Sequence, residues 1–214
     1  MPENLGEHHP SLKDIYFIEG IGLCSNIYVF FEDGRISLID TGSGMGPNGI
    51  SPSLERLGFK IEKVASVIIT HGHMDHIGGL TEILEHSSPR VFVHENDAAE
   101  LESLGIKSLD YLKDGDIVRL SGRDLKVLHT PGHTEGSVCL HDNELVLTGD
   151  TAFPGGNFGR TDLPSGDWRK LIDSLDKLSL LDVQIMLPGH GEPLFSNASL
   201  DLRLARKTVE FAGY

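Results

Sequence analysis

Four apolar, strand-forming runs in this chain each break off at a histidine or aspartate beside glycine, and that regularity limits the fold more than any other feature. VASVIIT ends at His71, LKVLHT runs into Pro131-Gly132-His133, ELVLT runs into Gly149-Asp150, and VQIML runs into Pro188-Gly189-His190. Short β-branched and aliphatic runs bounded by turn residues read as buried strands. Strands that all release a polar side chain at their carboxyl ends predict one sheet edge where those side chains converge.

The rest of the pattern fits around these runs. Strands are expected over Asp14–Glu19, Asn26–Phe31 and Arg35–Asp40, the last two joined by the turn Glu32-Asp33-Gly34. A glycine-rich loop over Gly42–Gly49 leads to a short helix at Pro52–Leu57. Helices are expected at Ile77–Glu85, Asn96–Leu104 and Asp167–Leu178, with an amphipathic helix, Ser199–Phe211, closing the chain. A strand at Val91–His94 stands alone, and two strand pairs follow: Asp116–Leu120 with Leu125–His129, then Ser137–His141 with Glu144–Thr148. The fourth site-bearing run predicts a strand over Val183–Leu187. No repeat or linker interrupts the series, so residues 1–214 are expected to form a single domain.

Charge narrows the partners. With 18 Lys and Arg against 32 Asp and Glu, the formal charge is −14. Such a balance argues against a nucleic-acid backbone as partner, because phosphate binding needs clustered cations. Part of the negative charge would be offset by bound divalent cations. Cys24 and Cys139 both lie in apolar surroundings and read as buried thiols, with a disulfide or thiolate ligand as the lesser alternative. The polar N-terminus does not read as a signal peptide, and no apolar run reaches membrane-spanning length. A cytoplasmic enzyme acting on a small molecule is expected, compatible with a homo-oligomer.

The densest chemistry lies in His71-Gly72-His73-Met74-Asp75-His76. In an extended segment His71, His73 and Asp75 would share one face, and a turn into a helix would swing His76 back towards Asp75. Crowded imidazoles repel when protonated and are costly to bury unpaired, so the cluster makes little sense without a metal. Nitrogen donors with some carboxylate suit zinc or iron. With His133, Asp150 and His190 added, the set is large enough for two metals sharing a carboxylate. His8, His9, His86, His94, His129 and His141 read as ordinary surface or core residues.

These pieces, HGHMDH at 71–76, GH at 132–133, GD at 149–150 and GH at 189–190, together with LIDTG at 38–42, resemble the metallo-β-lactamase superfamily over nearly the whole chain. The resemblance implies an α/β (α+β) fold, a four-layer αββα sandwich of two mixed sheets with helices outside. It implies that His71, His73 and His133 hold one metal and that Asp75, His76 and His190 hold the other, with Asp150 bridging. It also implies that Asp40 braces the site from behind its ligands, although a strand-ending turn aspartate would look the same from spacing alone.

Within that superfamily, GDTAFPGGNFGRTDLPSGD at 149–167 is similar to the glyoxalase II branch, which hydrolyses acyl thioesters such as hydroxyacylglutathione. The helical glutathione-binding domain of that branch has no counterpart in the 24 residues after His190 (of 214), so the thiol would have to be held differently. Arg160 is the candidate substrate contact, an ion pair with Asp162 being the competing role. The expected chemistry is hydrolysis by water acidified between two divalent cations, zinc foremost with iron or manganese as alternatives, with Asp75 orienting the attack. The GRTD at 159–162 also resembles persulfide dioxygenases, which would use one non-haem iron on His71, His133 and Asp150. A lactonase of the same fold is the other alternative.

Overall fold

In the computed structural model of the chain, residues 2–44 and 49–212 are described. Residues 45–48, within the glycine-rich loop expected over Gly42–Gly49, lie outside them.

The first half builds one sheet. Strands β1 (Glu3–Asn4), β2 (Ile15–Ile18), β3 (Ile27–Glu32) and β4 (Arg35–Ile39) form an antiparallel meander, with Glu32 opposite Arg35 across the expected turn. Helix α1 (Ile50–Arg56) leads to β5 (Val64–Ile68), which pairs parallel to β4. Then come α2 (Met74–Ile77), α3 (Leu80–His86), β6 (Arg90–His94), α4 (Ala98–Ser103) and β7 (Asp110–Leu112). The seven strands lie in sequence order, β1 to β7.

The second half builds the facing sheet from β8 (Ile117–Leu120), β9 (Arg123–His129), β10 (Val138–His141) and β11 (Leu145–Gly149). The small pair β12 (Ala152–Phe153) and β13 (Asn157–Phe158) precedes α5 (Trp168–Ser179), β14 (Ile185–Pro188) and α6 (Ala198–Ala212). The order is β14-β11-β10-β9-β8, with only the β11–β14 pair parallel.

Side-chain alternation explains why the layers stack as they do. On β3, Ile27 and Val29 face the helices of the first half, whereas Tyr28 and Phe30 face the opposite sheet. On β11, Leu145 and Leu147 enter the same inter-sheet core, whereas Val146 turns outward to α5 and α6. These two strands are thus apolar on both faces, as strands covered on both sides require. The result is the αββα sandwich, each inward Leu or Ile contributing about 1.5–3 kcal/mol of burial.

Three differences from the sequence expectations have local causes. The helix expected over Ile77–Glu85 is two, α2 and α3, broken at Gly78-Gly79 where the chain passes over residues 41–43. A Cβ on Gly79 would lie 2.2 Å from the Thr41 carbonyl oxygen. Residues 71–76 are likewise not one extended segment, because α2 begins at Met74. His73 is the last extended residue before α2, and Asp75 leaves the face shared by His71 and His73. The strands β1, β7, β12 and β13 are two or three residues long and carry too little periodicity to be seen in sequence.

Candidate metal centre

The expected convergence is present. β5, β9, β11 and β14 open at one end of the sandwich into the loops carrying His71, His133, Asp150 and His190. The ligand-capable atoms of His71, His73 and His133 lie within 4.8 Å of one another, as do those of His71, His76 and Asp150, and those of Asp75, His76 and His190. All seven residues predicted from sequence therefore meet in one place, with Asp150 on the seam between the two histidine groups.

Hydrogen bonds behind the imidazoles decide which nitrogen points inward. Nδ1 of His76 donates to Oδ2 of Asp40 at 2.7 Å, and Nδ1 of His133 donates to the Arg160 carbonyl oxygen at 2.8 Å. Nδ1 of His71 lies 3.2 Å from the Thr70 hydroxyl, which itself donates to Oδ2 of Asp40 at 2.8 Å. With those protons committed outward, the Nε2 lone pairs of His71, His76 and His133 face the centre. There His73 Nδ1 is 3.0 Å from His71 Nε2 and 2.9 Å from His133 Nε2, and His76 Nε2 is 3.4 Å from His190 Nε2. Oδ1 of Asp150 is buried with no hydrogen-bond partner. Converging lone pairs beside an orphaned carboxylate oxygen are what a pair of divalent cations satisfies, so the donor set fits metals.

Electrostatics divide the cluster. Burial, reinforced by its histidine neighbours, holds the His71 pKa well below the usual imidazole range, and burial lowers that of His73 as well. Burial also opposes charge on His76 and His190, but the carboxylates outweigh it. Asp40 and Asp150 raise His76 well above its ordinary value, and Asp150 with Asp75 raises His190 to about 9. Asp150 resists burial in the same way and stays well below the normal carboxylate range beside His76 and His190.

Asp40 sits at the end of β4 with a left-handed backbone, φ 59°. That conformation is uncommon for a residue other than glycine but accessible to aspartate. Its Oδ1 accepts the Thr70 amide at 2.8 Å while Oδ2 holds His76, tying the end of β5 to the centre.

Arg160 lines the cavity above the centre, and its guanidinium makes a two-point ion pair with Asp162 at 2.6 and 2.7 Å. The competing role read from sequence is thus the one its side chain adopts, while its carbonyl oxygen orients His133.

Two residues that sequence reasoning passed over hold the loops in place. The buried Asp97 accepts the Gly72 amide at 2.7 Å, the Gly136 amide at 2.7 Å and the Thr134 hydroxyl at 2.7 Å, joining the His71 loop to the His133 loop. Asn26 donates from Nδ2 to the Pro188 and Gly191 carbonyls at 3.0 and 2.8 Å, fixing both flanks of His190. Neither carries a local signal, since an isolated Asp or Asn reads as a turn residue. Cys24 and Cys139 are both buried free thiols, as expected. Among the described residues no helix is long and apolar enough to cross a membrane.

Comparison with known proteins gives this arrangement a lineage. A sequence profile of the metallo-β-lactamase superfamily matches residues 21–190, which include every candidate ligand. The chain belongs to the metallo-β-lactamase superfamily. Among superfamily members, hydroxyacylglutathione hydrolase GloC of Haemophilus influenzae is 32% identical over 160 residues, covering 64% of this chain and 75% of that protein. The probable metallo-hydrolase YqgX of Bacillus subtilis is 33% identical over 185 residues, 78% of this chain and 85% of its own. Among solved structures, the metallo-β-lactamase family protein TTHA1429 of Thermus thermophilus superposes with a TM-score of 0.78 at 22% identity, over 94% of this chain and 81% of the other. TTHA1623, solved in a di-iron-bound form, gives 0.65 at 27% identity over 90% and 96% of the respective chains.

Proposed function

We propose that this superfamily member is a metal-dependent hydrolase of acyl thioesters working at a dinuclear centre. His71, His73 and His133 would hold one cation, Asp75, His76 and His190 the other, and Asp150 would bridge. The observation that carries this reading is that the seven residues form overlapping donor groups, His71-His73-His133 and Asp75-His76-His190, linked by the group His71-His76-Asp150. A mononuclear iron oxygenase on His71, His133 and Asp150 leaves the grouping of Asp75, His76 and His190 without a task. Similarity to GloC points to a thioester as the bond cleaved, and the di-iron relative keeps iron beside zinc and manganese as candidate metals.

When bound, the cations would supply Lewis acidity and a water acidified to near neutrality. The chain's own residues do the remainder. Asp75 is about one-third exposed, with Oδ2 3.2 Å from His190 Nε2. It can accept a hydrogen bond from the attacking water and hold it in line with the acyl carbon. Water oxygen bonds to that carbon, the carbon–sulfur bond breaks, and the thiol and carboxylic acid leave. Asp40, Thr70 and the Arg160 carbonyl keep three imidazoles in the tautomer that turns lone pairs inward.

Purification with metal analysis, followed by thioester and oxygen-uptake assays before and after chelation, tests the reading. Two equivalents of metal and thioester cleavage lost on chelation are expected. One equivalent of iron with oxygen uptake on a persulfide, and no thioester cleavage, would overturn it.

A further inference from the structure

The cavity above the centre, about 780 Å3, has walls of a different character from its floor. His73, Asp75, His133, Asp150 and His190 form the polar floor, whereas Leu23, Met74 and Leu163 stand among the residues around it. Leu23 is 88% exposed and Met74 57% exposed. Two residues before Leu23, Ile21 is 63% exposed. Large apolar side chains left in water beside a polar site mark a surface that is covered in use.

These side chains do not hang on a loose segment. The Gly20 amide donates to Oδ1 of Asn26 at 3.0 Å, the Cys24 amide to the Ile21 carbonyl at 3.3 Å, and the Ser25 amide to the Asp75 carbonyl at 3.1 Å. Leu23 is therefore held two residues from an anchor on Asp75, and Met74 is the direct neighbour of Asp75. The apolar wall and the attacking end of the site share one frame.

Charge argues the same way. Arg160 is the sole Lys or Arg among the described residues lining this cavity, and Asp162 already engages both edges of its guanidinium. Among the described residues lining the cavity, no Lys or Arg side chain is left free to pair with the several carboxylates of an acidic thiol.

We infer that the mouth formed by Leu23, Met74 and Leu163 is an acyl-chain subsite, and that the substrate is an ester or thioester with an uncharged apolar acyl group. This rests on the hydrolase reading above and adds the substrate class. The acyl chain lies against the apolar wall while its carbonyl carbon reaches the floor, and displacement of water from the wall sets the preference. Each methylene buried there is worth about two- to fourfold in affinity.

Two measurements on metal-loaded protein test it. The first is calorimetric binding of acetate, butanoate, hexanoate and octanoate to wild type and to a Leu23→Ser/Met74→Ser double variant. Affinity should climb with length in wild type and flatten in the variant, which changes only exposed side chains. The second is kcat/KM for N-acetylcysteamine thioesters of the same acids against a lactoylglutathione thioester. The hexanoyl-to-acetyl ratio should be about tenfold or more in wild type and fall in the variant, and the hexanoyl thioester should outpace the glutathione conjugate. A flat alkanoate series, or a length preference the variant keeps, overturns the subsite even if thioesters are cleaved. A climbing series with no cleavage of any thioester supports the subsite and sinks the hydrolase reading instead.

Discussion

Oδ2 of Asp40 lies 2.7 Å from Nδ1 of His76, and both side chains are almost wholly buried. One carboxylate oxygen thereby sets the tautomer of an imidazole, while the other secures the strand end from which His71 departs. Asp40→Asn keeps the volume but removes the anionic acceptor, and the amide can present a donor to His76 instead. Affinity for the cation proposed to bind His76 should fall about tenfold to a hundredfold. Competition against a chromophoric chelator measures it, and a second equivalent that binds as tightly as in wild type would count against the role of Asp40.

Asp97 has a stability role as well as a positional one. Asp97→Ala strands two amide N–H groups in the interior, each costing about 1–3 kcal/mol when left unpaired, while the Thr134 hydroxyl keeps Ser137 Oγ at 2.7 Å. A loss of about 3 kcal/mol is expected in urea unfolding of the metal-loaded protein, because partial relaxation recovers some of the sum. Asp97→Asn retains one acceptor oxygen and should lose less. Equal losses in the two variants would mean that the hydrogen bonds are not the cause.

Gly189 meets the metal centre through space it leaves empty. A Cβ at this position would lie 2.2 Å from Oδ1 of Asp150 and 2.9 Å from the Gly149 carbonyl carbon. Gly189→Ala should displace the Asp150 carboxylate proposed to bridge and lower bound metal below the two equivalents expected, with activity falling at least in proportion. Metal analysis after dialysis checks the first effect, and full occupancy would refute the steric account.

His94 is buried and stacks on His129, with ring centroids 3.9 Å apart and planes 10° from parallel. Burial first, and His129 second, lower the His94 pKa from about 6.5, with Asp97, Glu95 and Glu135 opposing. A depressed histidine pKa means that the unfolded chain takes up the proton before the folded one. Its contribution to stability is therefore intact above about pH 6.5 and lost as pH falls from there towards the folded pKa. His94→Phe cannot titrate and should cost stability at about pH 7.5. That deficit should narrow at about pH 5 in denaturant titrations, and a deficit that widens in acid would reverse the sign.

The candidate site was legible because its candidate ligands are local. HGHMDH is contiguous, and the remaining ligands each sit a few residues past an apolar run whose burial fixes where the strand stops. Periodicity therefore located them without any knowledge of which strands pair. The layered fold was implied by the family resemblance of the motifs, while the apolar runs by themselves gave the sheet edge at which the donors converge.

What the sequence determined by itself was the set of donors and the strand ends that present them, because side-chain chemistry and hydrophobic pattern are properties of short segments. What only tertiary structure decided was how those donors are placed relative to one another. The step from extended His73 into α2 carries Asp75 away from His71, and residues 41–43 cross at Gly78-Gly79 and leave no room for a Cβ there. The supports were equally invisible: Asn26 lies 162 positions from Pro188, and Asp97 39 from Gly136. Contacts of that kind depend on how two sheets pack, and no local pattern encodes them. The same is true of Arg160, whose side chain turns to Asp162 while its carbonyl serves His133.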